Sequence, residues 1–175
     1  KIDLEESLRD EGYTVFTANV GPVSSNWDRA VELYFQIKGG QIDYGKAHSE
    51  AFGLVRKPES KNYTGLYPEW DEKHPVHFVG HSMGGQTVRM LDYLLKTSLL
   101  DSLGNKEESG FLGEAHDGWI SSITSISAPH NGTTLSDIVT TSIPFLQDFI
   151  AVGAVVGSSF YNFDLEQWGF SRKEE

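Results

Sequence analysis

The sequence predicts an α/β fold, with a mostly parallel central sheet flanked by helices. Short runs of β-branched and aromatic residues alternate with segments whose apolar residues recur at helical spacing. Long connections separate the predicted strands, and parallel neighbours need such crossover segments. The 175 residues, of which 38% are hydrophobic, suffice for one core. We therefore predict a single domain whose sheet is covered by helices on both faces.

The first forty residues predict two helices and one strand. Asp3 is a suitable N-cap for a short helix that ends at Gly12, and residues 13–17 are a β-compatible run that we interpret as a short buried strand. Ser and Asn side chains at 24–26 offer N-caps for a second helix. Its apolar residues recur at helical spacing until the two glycines at 39–40.

The middle of the chain predicts an irregular insertion and then a strand, a turn and a helix. Residues 41–70 are rich in Gly, Pro, Ser, Asn and Lys and predict one helical turn around Ala47. The apolar run 76–79 predicts a strand, and residues 84–95 place their apolar side chains on one helical face. A second β-compatible run covers 119–126.

Charge and composition exclude several classes of partner and chemistry. The chain has 25 acidic and 14 basic residues, and its net charge of −11 repels phosphate backbones and anionic membrane surfaces. It has no cysteine, which excludes disulfides, cysteine-bound metals and thiol catalysis. The apolar stretch within 138–160 contains Pro144 and Asp148 and falls short of the roughly 20 residues of a transmembrane helix. We expect neither a nucleic-acid partner nor a transmembrane segment.

The segment Gly80-His81-Ser82-Met83-Gly84 fits the pattern G-x-S-x-G between a predicted strand and a predicted helix. In the nucleophile elbow of an α/β-hydrolase fold, the serine occupies a strained turn that raises its hydroxyl above the sheet edge. Gly80, Gly84 and the following Gly85 are expected on steric grounds, since strand and helix approach closely there. We predict Ser82 as the nucleophile and the Met83 amide as an oxyanion donor. An ordinary turn capped by Ser82 is the alternative.

The partners of Ser82 are harder to place. In this fold the order along the chain is serine, acid and then histidine, and only His116 and His130 follow Ser82. His130 comes soon after the elbow, so we interpret it as a loop histidine that shapes the pocket wall, with a role as the general base as the alternative. No segment upstream of residue 80 matches the loop that supplies the second oxyanion donor.

Five segments, one of which contains the elbow, resemble one family, the secreted lipases of the staphylococcal type and their thermophilic bacillus relatives. The segments, in family order, are Gly21–Ala30, Gly39–Gly40 with Asp43–His48, Gly80–Gln86, Ala128–Thr133 and Asp164–Phe170. The resemblance implies that residues 1–175 are the central portion of a single α/β-hydrolase domain. The acid and the histidine of the triad would then follow Glu175 and are not in this chain, and the first oxyanion strand would precede Lys1.

The resemblance also implies metal sites that are structural, while the chemistry itself requires no cofactor. The family binds zinc between an aspartate, two histidines and a later aspartate, and Asp28 and His48 match the first two ligands. Leu54 stands where the pattern has its second histidine. The alternative is an Asp28 that interacts with a helix N-terminus and a His48 on the surface. Calcium ligands of the family would lie later than this chain.

In function, the resemblance implies a secreted, extracellular triacylglycerol lipase that acts on lipid esters at an oil–water interface. An apolar stripe at 143–158 resembles the family's lid helix, with a plain core helix as the alternative. The elbow fixes acyl transfer but neither the acyl chain nor the leaving group, so a carboxylesterase or a phospholipase is an alternative within enzymes. A non-catalytic module of the same fold is the alternative outside them. We expect the isolated 175 residues to be inactive and poorly soluble.

Overall fold

The structure is a computed structural model and describes residues 4–22 and 24–132. Its elements are, in chain order, α1 (Leu4–Asp10), α2 (Asn26–Lys38), β1 (Gly40–Gln41), α3 (Lys46–Phe52), β2 (Asn62–Tyr63), β3 (Val76–His81), α4 (Met83–Leu95), α5 (Gly110–Gly113) and β4 (Ile120–Ile126). The predicted Asp3 cap, the lid-like helix at 143–158 and the matching segment Asp164–Phe170 lie outside the described residues. None of the described helices is long and apolar enough to cross a membrane.

The predicted parallel pairing is confirmed by strands β3 and β4. They pair in parallel, with Phe78 opposite Ile123 and Gly80 opposite Ser125, and α4 lies in the connection between them. Parallel strands need such a crossover because the chain must return to the same end of the sheet. Strands β1 and β2 form a separate antiparallel pair of two residues each. The carboxyl ends of β3 and β4 therefore lie side by side.

The core lies between the parallel pair and the helices α4 and α2. Helix α4 packs on both strands and α2 packs on α4. The fully buried hydrophobic side chains are Ala30, Val31, Ile42, Tyr44, Trp70, Leu91, Leu94 and Leu112. On the opposite face of the strands, Val79 is 48% exposed and Ile126 is 41% exposed. Among the described residues, the predicted cover of helices is thus present on one face of the sheet only.

The strand predicted at 13–17 is wrong. Tyr13 is 62% exposed and the segment has no partner strand within the described residues. Side-chain hydrogen bonds contact it instead: Arg9 donates to the carbonyl of Val15 at 2.9 Å, and the hydroxyl of Thr17 donates to the carboxylate of Glu5 at 2.5 Å. Strand propensity reflects how well a side chain fits a pleated, half-buried surface, and the described residues offer this segment no strand to pair with.

The insertion is more ordered than its composition predicts. Helix α3 has 7 residues rather than a single turn. The carboxylate of Glu107 accepts hydrogen bonds from the amides of Lys46 at 2.9 Å and Ala47 at 3.2 Å, and so caps α3 from a distant loop. Asp43, just before α3, accepts two hydrogen bonds from Arg56, at 2.7 and 2.8 Å. These contacts join residues far apart in sequence, which periodicity does not reveal.

Candidate active site

Ser82 connects β3 to α4 in a strained backbone conformation. Its φ of 53° and ψ of −125° lie in a region that residues other than glycine rarely adopt. Such a residue costs about 1–3 kcal/mol and persists only where its surroundings hold it. Two hydrogen bonds do so: the Ser82 amide donates to the carbonyl of Ile126 at 2.9 Å, and the Gly85 amide donates to the carbonyl of Ser82 at 3.1 Å. The turn is thereby tied both to the end of β4 and to the start of α4.

Two of the three predicted glycines are sterically required. A Cβ on Gly80 would lie 2.6 Å from the amide nitrogen of Gly85 and 2.7 Å from the carbonyl carbon of Gly84. A Cβ on Gly85 would lie 2.6 Å from the Cβ of Ala128. For Gly84 the steric argument is wrong, since a Cβ there has no neighbour within 4 Å. Strand and helix therefore make their closest approach at Gly80 and Gly85.

Met83 is the first residue of α4, directly after Ser82. The first N–H groups of a helix have no acceptor within the helix and carry the positive end of its dipole. Helix α4 has 13 residues, long enough for that dipole to develop. The structure thus places a helix N-terminus directly beside an exposed serine, an arrangement that favours negative charge at this point.

His130 is held by groups other than Ser82. Its Nε2 lies 2.8 Å from the hydroxyl of Ser125, and its Nδ1 lies 3.1 Å from a guanidinium nitrogen of Arg89. His116 lies 3.2 Å from the carbonyl of Gly110. Within residues 4–22 and 24–132, neither downstream histidine contacts Ser82. These contacts agree with the interpretation of His130 as a loop histidine and give no support to its alternative role as the base.

The structure brings Asp28 and His48, the two residues that match the zinc pattern of the resembled family, into direct contact. His48 Nε2 lies 2.9 Å from Asp28 Oδ1, and Trp27 stacks on the His48 ring at 4.9 Å. The other Asp28 oxygen accepts a hydrogen bond of 2.7 Å from Ser25, the N-cap of α2. The side chain of His48 is only 11% exposed, so the alternative of a surface histidine is wrong. The alternative for Asp28, an interaction at a helix N-terminus, is confirmed.

Among the described residues, the donor set around this pair does not fit zinc. Zinc sites in proteins use three or four nitrogen, oxygen or sulfur ligands from the chain, and Leu54 offers none. The described residues contain no group of three or more His, Asp or Glu side chains that could hold a metal ion. We derive no chemical step through zinc, and the calcium implied by the resemblance stays a prediction.

A family profile described as "Lipase-like, C-terminal domain" matches residues 1–175. The chain belongs to this lipase-like family. It is 40% identical over 181 residues to lipase 1 of Staphylococcus aureus and 40% identical over 183 residues to the lipase of Staphylococcus hyicus. Each alignment covers 99% of this chain but only 26% and 28% of the relative. The lipase-like chain thus spans about a quarter of the length of these curated relatives, and its predicted resemblance to staphylococcal lipases is confirmed.

The chain is also similar to solved structures, one of which is a staphylococcal lipase. The lipase-like chain matches the crystal structure of the Staphylococcus hyicus lipase with a TM-score of 0.87 and 39% identity, over 99% of this chain and 46% of that one. It matches the structure of EstA from Clostridium botulinum with a TM-score of 0.81 and 40% identity, over 98% of this chain and 41% of that one. The fold of the described chain is therefore similar to that of a solved staphylococcal lipase.

Sequence reasoning missed the buried charges on helix α2 of this lipase-like chain. Glu32 is 2% exposed and accepts hydrogen bonds from Lys61 at 2.6 Å, Tyr44 at 3.0 Å and the amide of Gly21 at 2.6 Å. Burial, followed by the charge of Glu32, raises the pKa of Tyr44 far above its usual range, so Tyr44 remains a hydrogen-bond donor. The sequence did contain one signal for these buried charges: Asp, Arg and Glu stand among apolar residues on the predicted helix.

Proposed function

We propose that this chain carries the nucleophile of a serine ester hydrolase of the α/β-hydrolase fold, and that the protein is a triacylglycerol lipase. The observation that carries the proposal is Ser82, a non-glycine residue at φ 53° between a parallel strand and a helix. A structural serine has no need of a strained conformation, whereas a nucleophile gains exposure from it. Membership of the lipase-like family supports the same reaction class.

In the proposed reaction, the Ser82 hydroxyl oxygen attacks the carbonyl carbon of an ester and a histidine takes its proton. The oxyanion that forms accepts a hydrogen bond from the Met83 amide at the start of α4. Collapse of the tetrahedral intermediate expels the alcohol, protonated by the same histidine, and leaves an acyl group on Ser82. Water then hydrolyses this acyl-enzyme by the reverse sequence of proton transfers. The histidine and the acid that orients it are assigned to parts of the protein outside this chain.

The proposed substrate class and the proposed location of the protein are inferred from its relatives. Two staphylococcal relatives are named lipases. We assign to this protein a lipid ester as substrate, met at an oil–water interface, and secretion to the outside of the cell. The apolar stripe at 143–158 is proposed as a lid over the active site, since a helix with one apolar face can expose that face to lipid.

The decisive experiment is labelling by a fluorophosphonate probe, which reacts with activated serines. We expect the full-length protein to be labelled and its Ser82→Ala variant to be unlabelled. Ser125→Ala is the matched control, because Ser125 lies at the same end of the sheet and within hydrogen-bond distance of a histidine. Labelling that survives in Ser82→Ala and disappears in Ser125→Ala would overturn the assignment. No labelling of the wild type would favour a non-catalytic module.

Substrate comparison separates a lipase from other ester hydrolases. The full-length protein is given a soluble short-chain ester, emulsified triacylglycerol and phospholipid vesicles, each with Ser82→Ala as the blank. A lipase hydrolyses the emulsion faster than the dissolved ester, because an interface favours the open lid. A preference for the dissolved ester would indicate a carboxylesterase, and a preference for vesicles would indicate a phospholipase.

A further inference from the structure

Arg29 is a buried cation on α2 that contacts Met83 and Thr87 of α4, the helix that follows Ser82. It is 7% exposed and lies among apolar core residues of the same helix, such as Ala30 and Leu33. Burying a charge costs several kcal/mol even after relaxation of its surroundings. A Met or Leu side chain would fill a similar volume without that cost. Packing alone therefore does not explain why an arginine stands at this position.

The guanidinium of Arg29 is joined to the first turn of α4 by two successive hydrogen bonds. Its Nε donates to the hydroxyl of Thr87 at 3.0 Å, and that hydroxyl donates to the carbonyl of Met83 at 3.1 Å. A second guanidinium nitrogen, Nη1, lies 4.0 Å from the sulfur of Met83. Both contacts end on the residue that directly follows Ser82. The cation is thereby fixed against the proposed oxyanion donor.

Among the described residues, no carboxylate forms an ion pair with Arg29. The neighbouring Asp28 contacts His48 and Ser25, and the oxygens of Glu32 accept hydrogen bonds from Lys61, Tyr44 and the amide of Gly21. Burial lowers the pKa of Arg29 and the charge of Glu32 raises it, with burial the larger influence. A guanidinium stays protonated at neutral pH even so. A positive charge is thus held in a medium where electrostatic interactions are weakly screened.

We propose that Arg29 is a positioning residue for ester hydrolysis. Through Thr87 it fixes the first turn of α4, and with it the Met83 amide, relative to the Ser82 hydroxyl. Its charge adds to the positive end of the helix dipole on the side where negative charge develops in the transition state. This inference rests on the proposed function, since it concerns the reaction of Ser82.

The test uses the full-length protein and a soluble chromogenic ester, with kcat and KM measured separately. We expect Arg29→Met to lower kcat about tenfold, an effect typical of losing part of an oxyanion site, with KM changed by less than about twofold. Arg29→Lys keeps the positive charge but lacks the planar guanidinium. Its kcat should therefore lie between that of Arg29→Met and that of the wild type. Lys96→Met, which removes an exposed cation from the far end of α4, is the matched control and should match the wild type.

If Arg29→Met does not fold, Thr87→Val tests the same proposal. It preserves volume and removes only the hydroxyl between Arg29 and the Met83 carbonyl, and we expect kcat to fall about threefold. An unchanged kcat in folded Arg29→Met or in Thr87→Val overturns the inference, as does a rise in KM alone. The probe separates the two proposals: an unlabelled wild type refutes the proposed function, whereas a labelled wild type with unaffected Arg29 and Thr87 variants refutes only the role of Arg29.

Discussion

The turn around Ser82 and the insertion around α3 are stabilised in different ways. At the turn, the backbone of Gly80 lies in close contact with that of Gly84 and Gly85, residues near it in sequence. At the insertion, charged side chains join residues far apart, as in the contacts of Glu107 with α3 and of Arg56 with Asp43. A local steric constraint is visible as a short motif. A network of distant charges becomes visible only once the chain has folded.

Of the substitutions that compare the two regions, Gly80→Ala at the turn is expected to have the largest effect on stability. The new Cβ would lie 2.6 Å from the Gly85 nitrogen and 2.7 Å from the Gly84 carbonyl carbon, and backbone atoms have little freedom to move. We expect the free energy of unfolding of the full-length protein to fall by about 3 kcal/mol, with loss of probe labelling at Ser82. Urea unfolding followed by tryptophan fluorescence measures the first quantity.

Gly84→Ala is the matched control for this prediction. A Cβ on Gly84 meets nothing within 4 Å, and alanine favours a helix over glycine by about 1 kcal/mol. We expect the stability of Gly84→Ala to equal or exceed that of the wild type, and the labelling of Ser82 to continue. Equal destabilisation by the two substitutions would mean that the turn is not held by the close approach at Gly80.

The same contrast explains which features could be predicted from sequence. Helix α2, strand β3 and helix α4 were predictable because periodicity, caps and the G-x-S-x-G motif are all local signals. The run 13–17 has strand propensity but no partner strand in the described part of the chain, and propensity alone does not supply one. In the candidate site, Ser82 and Met83 follow from the motif. Arg29 does not, because its partner Thr87 comes from a distant helix.

An intermediate effect, on zinc affinity, is expected from Leu54→His in the insertion, whose His48 contacts Asp28 of α2. The resemblance places a zinc ligand at position 54, and zinc affinity depends on the number of ligands. We expect the full-length Leu54→His variant to bind zinc at least about tenfold more tightly than the wild type, measured by competition with a chromogenic chelator. Val55→His is the control, since it adds a histidine one position out of the pattern. Equal affinity in both variants would show that any added histidine suffices.

The smallest effect concerns the pH dependence of the insertion. Burial by itself raises the pKa of Asp43, but the hydrogen bonds from Arg56 and Gly45, with the charges of Arg56 and Lys57, lower it below its ordinary value of 3.8. A carboxylate whose pKa is lowered by folding stabilises the native state above its unfolded pKa, and that stability is lost as the pH falls through the folded value. Arg56→Gln removes the two hydrogen bonds that join the pair.

We expect Arg56→Gln to lower the free energy of unfolding by about 1 kcal/mol at neutral pH, because a two-pronged contact with a carboxylate is among the stronger hydrogen bonds. The difference from the wild type should shrink as the pH falls from about 5 to about 3, since protonation of Asp43 weakens in the wild type the contact that the variant already lacks. Gly84→Ala changes no titratable group, so its difference from the wild type should stay constant over that range. A constant difference for Arg56→Gln as well would mean that the insertion, like the turn, is held by packing rather than by charge.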